Sequence, residues 1–125
     1  ISDDEIEFMT GEKDIKTGVK KLIDEYHIPF ICATMGKNGS MAFFDGHIVE
    51  AAPFLRDDTV ETTGAGDTFC ACLLHDVLEH GINDRKDDDV KKMLTFANAA
   101  ASLITTRKGA LRVMPEKGEV EAVIK

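Results

Sequence analysis

The run Glu61-Thr62-Thr63-Gly64-Ala65-Gly66-Asp67-Thr68-Phe69 sets small, backbone-exposing residues and then a carboxylate where a helical apolar pattern begins. Gly64, Ala65 and Gly66 carry little or no side chain, so a phosphate can approach their N–H groups closely. The unsatisfied donors of a first helical turn and the positive end of the helix dipole favour negative charge at the same point. Asp67, next in the chain, has the chemistry to take the proton from an attacking hydroxyl while the amides stabilise charge spreading over phosphoryl oxygens. The combination suits phosphoryl transfer. The same residues also make an ordinary glycine turn into a helix with an aspartate or threonine near its start, which needs no ligand.

A second glycine turn, Thr34-Met35-Gly36-Lys37-Asn38-Gly39-Ser40, lacks the Gly-Lys-Ser/Thr ending of a Walker A loop. Asn98 interrupts an apolar run, so its amide either serves a ligand or is satisfied by backbone. Its neighbours Ala97 and Ala99 to Ala101 fit close helix packing or contact with a flat ring. Ser2 and Glu5 form an S-x-x-E pair ahead of an apolar-periodic segment, the pattern of a capping box. Lys37 and Arg107 are surface cations unless the fold brings them to a phosphate. His27, His47, His75 and His80 have no metal-pair spacing, and no serine lies in a G-x-S-x-G elbow.

The elements that must position these residues alternate between helix and strand. A short helix is expected over Asp3–Thr10. A second over Asp14–His27 shows Ile15, Val19, Leu22, Ile23 and Tyr26 at helical spacing, with Pro29 beyond its end. Phe30–Thr34 is a buried strand. Ser40–Phe44 and His47–Ala51 flank Asp45-Gly46, a strong two-residue hairpin signal, and this strand pair fixes the Gly36–Gly39 turn. From Asp67, the residues Phe69, Leu73, Leu74, Val77 and Leu78 predict a helix stopped by Gly81. Asn83 to Asp89 is an acidic loop in which Asp88 or Asp89 caps the next helix, Asp89–Thr105. A terminal helix, Val120–Ile124, follows Pro115.

Composition narrows the function classes. The chain has 125 residues and a formal charge of −8. That length suits one domain, and the negative charge disfavours nucleic acid and anionic membranes as partners. A phosphate-bearing ligand is also an anion, so its binding would have to rely on local amides and a metal. No apolar run reaches the ~20 residues of a membrane span, and no signal-peptide pattern precedes the first helix. Cys32, Cys70 and Cys72 are odd in number and lack zinc-site spacing, which fits buried free thiols in a reducing compartment, the cytoplasm.

The run from Glu61 to Phe69 resembles the signature of the ribokinase-like, or PfkB-type, carbohydrate kinases, Asp-(Thr/Ser)-(Thr/Ser)-Gly-Ala-Gly-Asp-(Thr/Ser)-Phe. Other stretches match the family in the same order. Thr34 to Ser40 is similar to its T-L-G-x-x-G-(A/S) turn along the ATP. Phe96 to Ala101 and Thr106 to Ala110 resemble its closing helix and loop, and Ser2 to Gly11 resembles its N-x-x-E-x-x-x-L-x-G helix. Glu61 stands where the signature usually has Asp, and Ser2 where it has Asn.

The resemblance implies an α/β fold, the C-terminal part of a three-layer α/β/α ribokinase-like architecture with a β-hairpin beside the nucleotide cleft. It implies that residues 1–125 form the ATP-binding and catalytic portion, without the sugar-binding N-terminal half and lid. It further implies Asp67 as catalytic base with Gly64, Ala65 and Gly66 as anion hole, and Thr34, Gly36, Lys37, Gly39 and Asn98 along the nucleotide. Glu5 is implied at a magnesium site, and Glu61 and Thr63 at a potassium site. Expected ligands are ATP or ADP with Mg2+, K+ in addition, and a small sugar. Fructose is preferred from the Ser-Asp-Asp-Glu-Ile-Glu-Phe opening, with ribose, a nucleoside or 2-keto-3-deoxygluconate as alternatives. A non-catalytic nucleotide-binding domain and a homodimer of the intact enzyme both stay open.

Overall fold

The computed structural model describes every residue from Ile1 to Lys125. Helices α1 (Asp3–Thr10) and α2 (Ile15–Tyr26) come first, followed by strands β1 (Phe30–Thr34), β2 (Ser40–Phe44) and β3 (His47–Ala51). Helices α3 (Ala65–His80), α4 (Asp87–Ile104) and α5 (Lys117–Ile124) complete the chain. The strands form one antiparallel sheet in the order β1-β2-β3. Asp45 and Gly46 both take positive φ, 47° and 76°, as a two-residue hairpin turn requires, and Phe44 pairs with His47 across it.

Alternation along the strands sorts their side chains onto two faces. Ile31, Ala33 and Phe43 pack with Ile6 of α1 and with Val19 and Leu22 of α2. Ala42, Phe44, Val49 and Ala51 face the opposite way, onto Phe69 of α3 and Val90, Met93, Leu94 and Ala97 of α4. The sheet is therefore the middle of three layers, α/β/α. Val120 of α5 closes a smaller cluster with Ala99, Ala100 and Leu103. Small residues on α4 thus serve packing on two sides at once.

The helix ends follow local chemistry. Ser2 and Glu5 form the capping box: Ser2 Oγ accepts from the Glu5 N–H at 3.3 Å, and Glu5 accepts from the Ser2 N–H at 2.8 Å. Asp14 caps α2 by accepting from the Thr17 N–H at 2.8 Å. The first residues also extend the sheet edge, because Thr34 N–H donates to the Ile1 carbonyl and Ser2 bridges Thr34 in parallel. That contact sets the start of α1 beside the end of β1.

Three helix-boundary expectations need correction, and two leucines placed in the expected helix prove exposed. Helix α3 starts at Ala65 behind a left-handed Gly64 (φ 82°), so the glycine turn itself enters the helix two residues before Asp67. Leu74 and Leu78 share that helix but are exposed, at 60% and 85%, because α4 covers the face carrying Phe69 and Leu73. Lys86 occupies the cap position of α4 without a side-chain bond, and Asp87, Asp88 and Asp89 all lie inside the first turn, where their charge meets the helix dipole. Helix α5 begins at Lys117, capped by Glu116 and Glu119 rather than by apolar periodicity.

The thiols also differ from the expectation of uniform burial, since Cys70 is exposed while Cys32 and Cys72 are partly covered. Burial pushes the Cys32 thiol up to about 12 and raises that of Cys72. A thiol reagent at about pH 8 is therefore expected to label Cys70 rapidly in the native protein and Cys32 only after unfolding. Labelling of Cys32 and Cys70 at one rate would overturn this ordering.

Candidate active site

Packing of β3 and α3 against α4 leaves a cleft of about 510 Å³ whose walls come from four separate stretches of chain. Thr34, Gly36, Lys37 and Gly39 line one side, from the end of β1 and the turn into β2. Ala65 and Gly66 at the start of α3 line another, and Asn98, Ala101, Ser102 and Thr105 supply the α4 wall. The remaining wall is the segment after β3, with Pro53, Phe54, Leu55, Arg56, Thr59 and Thr62.

The turn beside β1 is held by its own backbone. Gly36–Asn38 makes a 3-10 turn, and the Met35 N–H donates to the Gly39 carbonyl at 2.9 Å. Gly39 has φ 89° and sits against β3, where an added Cβ would lie 2.2 Å from the Ala51 carbonyl oxygen. Only glycine combines that conformation with that approach.

At the start of α3 the donors are open. Ala65 N–H bonds the Thr62 carbonyl and Thr68 N–H bonds the Gly64 carbonyl, whereas the N–H groups of Gly64, Gly66 and Asp67 find no acceptor in the protein. Unsatisfied first-turn donors beside a cleft form an anion site. A Cβ added at Gly66 would meet nothing within 4 Å, so the backbone there faces open space. Asp67 is exposed on the same turn, outside the cleft lining, and its carboxylate has no hydrogen bond or ion pair within the protein.

Asn98 is 9% exposed, and its Nδ2 donates to the carbonyls of Ala51 and Ala52 at 3.2 and 3.0 Å. Both amide hydrogens thereby strap the end of β3 to α4. This satisfied-by-backbone arrangement sits in the cleft wall, so Asn98 shapes the cleft through the segment it holds. Of the alanines, Ala97, Ala99 and Ala100 are packed in the interior and Ala101 lines the cleft.

The residues expected around metal ions lie at the margins. Glu5 is exposed, and hydrogen bonds from Ser2 hold its carboxyl below the usual range. Glu61 accepts from the Gly109 N–H at 3.2 Å, and the Thr63 hydroxyl and that N–H lower its carboxyl in turn. Glu61 and Thr63 therefore knit the loop before α3 to the loop after α4. No three His, Cys, Asp or Glu side chains cluster closely enough to hold a metal ion by themselves. A magnesium ion suits such a site only when phosphate oxygens and waters complete its shell, the usual arrangement with nucleotides.

Arg107 stays out of the cleft, bonding the Val113 carbonyl at 3.0 Å and Glu119 at 2.5 Å to tie the last loop to α5. Arg56, which neither motif nor periodicity singles out, lines the cleft instead. The one local sign of its segment is the apolar Pro53-Phe54-Leu55 stretch outside any periodic element.

The chain is similar to known proteins along its whole length. The model of the family described as "pfkB family carbohydrate kinase" matches residues 1–117. A fructokinase of Klebsiella pneumoniae is 33% identical over 123 residues, 97% of this chain and 39% of that protein. Probable fructokinase-2 of Arabidopsis thaliana is 30% identical over 125 residues, 100% of this chain and 38% of that one. A crystal structure of fructokinase from Vibrio cholerae O395, bound to fructose, ADP and calcium ion, superposes with a TM-score of 0.83 at 25% identity, covering 99% of this chain and 39% of that one. Arabidopsis thaliana ribokinase, complexed with ribose and ATP, gives 0.79 at 27% identity, with 99% and 39% covered. This chain thus spans well under half the length of these relatives. Because the family model matches nearly all of the chain and the fold superposes on fructokinase and ribokinase structures, it belongs to the pfkB family of carbohydrate kinases.

Proposed function

We propose that this chain is the ATP-binding and catalytic portion of a kinase that transfers a phosphoryl group from ATP to a sugar hydroxyl, with fructose as the preferred acceptor. The observation that carries the reading is the convergence of four distant stretches on one cleft that reaches the unsatisfied N–H group of Gly66 at the start of α3. The nucleotide lies between the Thr34–Gly39 turn and α4, and its phosphates run to the open N–H groups of Gly64 and Gly66, the Ala65 N–H being taken by the Thr62 carbonyl. Asp67 accepts the proton of the acceptor hydroxyl as the oxygen attacks phosphorus and the bond to the ADP oxygen breaks. The amides then meet the charge that spreads over the equatorial oxygens. Glu5 is the carboxylate that would hold a magnesium ion carried in on the nucleotide, an ion that would supply neutralisation of phosphate charge. Glu61 and Thr63 would supply oxygens for a potassium ion. The fructose preference rests on the fructokinases among the relatives, and ribose is the second acceptor to test.

Calorimetric titration with Mg·ADP, with and without potassium, tests the nucleotide half of this reading. Gly66→Val sets a branched side chain beside the free N–H groups at a position whose added Cβ meets nothing within 4 Å, so it is expected to abolish ADP binding while leaving the melting temperature within roughly 3 °C. ADP binding unchanged by Gly66→Val would remove the helix start from the site. Nucleotide binding without phosphoryl transfer to fructose or ribose would instead identify a non-catalytic nucleotide-binding domain.

A further inference from the structure

The cleft is lined by two cations, Lys37 and Arg56, and by no carboxylate, within a chain of formal charge −8. Lys37 rides on the 3-10 turn without a partner. Arg56 is built in: its side chain is 26% exposed, and its Nε and Nη2 donate to the two oxygens of Asp58 at 2.9 Å each. That fork-to-carboxylate pair fixes the plane of the guanidinium and engages only part of its donor set, leaving both Nη1 hydrogens unpaired. Asp58 is 62% exposed on the solvent side of the pair. The segment bearing them is anchored at both ends on α4, by Asn98 at Ala51 and Ala52 and by the Thr105 carbonyl, which accepts from the Val60 and Glu61 N–H groups. Arg56 thus lies in the span that bridges the last turns of α4 and leads into the open helix start at Gly64.

Starting from the nucleotide reading above, on which this rests, we propose that Arg56 is the side chain that pairs with the nucleotide's phosphates, with Asp58 as its positioning residue. The free edge of the guanidinium meets the diphosphate while the opposite edge keeps its contact with Asp58. Part of the affinity of this cleft therefore comes from charge pairing that a nucleoside without phosphates does not receive.

The test compares ADP with adenosine as calorimetric probes on the wild-type chain and on Arg56→Ala, Arg56→Lys and Asp58→Asn, with melting curves to establish folding. Arg56→Ala is expected to weaken ADP about tenfold and leave adenosine within about twofold. Arg56→Lys should recover part of the loss, because it keeps charge without the fork. Asp58→Asn should lower the ratio of ADP to adenosine affinity less than Arg56→Ala does, a change that a purely structural loop contact would not produce. Equal weakening of both probes, or ADP affinity untouched by Arg56→Ala, overturns the inference while the nucleotide site stands. A wild-type chain that binds neither probe defeats the nucleotide reading and this inference with it. If Arg56→Ala does not fold, Arg56→Gln carries the same comparison, since it retains length and polarity without charge.

Discussion

Asp67→Asn in the protein bearing this chain is expected to cut phosphoryl transfer to its sugar about a thousandfold, the usual scale for a general base, with ADP affinity nearly unchanged. The asymmetry follows from position. The Asp67 side chain lies outside the cleft lining and has no partner in the protein, so removing its charge breaks no contact, while its N–H remains available to a phosphate. The helix loses only a favourable charge in its first turn, about 0.5 kcal/mol. Steady-state turnover and an ADP titration on one preparation decide the matter. Turnover equal to wild type would take the base role from Asp67, and a parallel loss of ADP affinity would reassign it to nucleotide binding.

Gly39→Ala is expected to give the largest loss of stability among cleft substitutions, about 3 kcal/mol or more, read as a fall in melting temperature of roughly 10 °C. Two costs add here. The backbone holds φ at 89°, which an L side chain rarely adopts, and the new Cβ would press within 2.2 Å of the Ala51 oxygen and 3.0 Å of the Pro53 nitrogen. Both obstacles are backbone atoms, and Ala51 is further pinned by Asn98, so neither can turn aside as a flexible side chain would. Relief comes only by moving the turn or the strand end, and either motion displaces the wall bearing Gly36 and Lys37. Gly36→Ala is the informative comparison: its φ is also positive, at 52°, but an added Cβ meets nothing within 4 Å, so only the conformational cost of about 1–2 kcal/mol applies. Equal destabilisation by the two would show that close approach to β3 is not what requires glycine at position 39.

Several features of this protein were legible in the sequence because they depend on contacts within a few residues. The capping box at Ser2 and Glu5 and the Asp45-Gly46 hairpin are each settled by side chains and dihedrals a turn apart. The strand Phe30–Thr34 was legible in the same way, its boundaries matching β1.

Tertiary packing decided the rest. Periodicity marks Leu74 and Leu78 as helical but cannot say which side of α3 a partner covers, and α4 covers the other side. Whether the Asn98 amide faces a ligand or backbone depended on where β3 ends, 46 and 47 residues earlier in the chain. Glu61 found Gly109 across a separation of 48 residues. Arg56 itself is marked by neither motif nor periodicity: it enters the cleft because the aperiodic segment around it is tied to α4 and its C-cap at both ends. Short-range chemistry determines each element and its caps, whereas the site is assembled by burying the two faces of the sheet, a long-range event that no window of sequence contains.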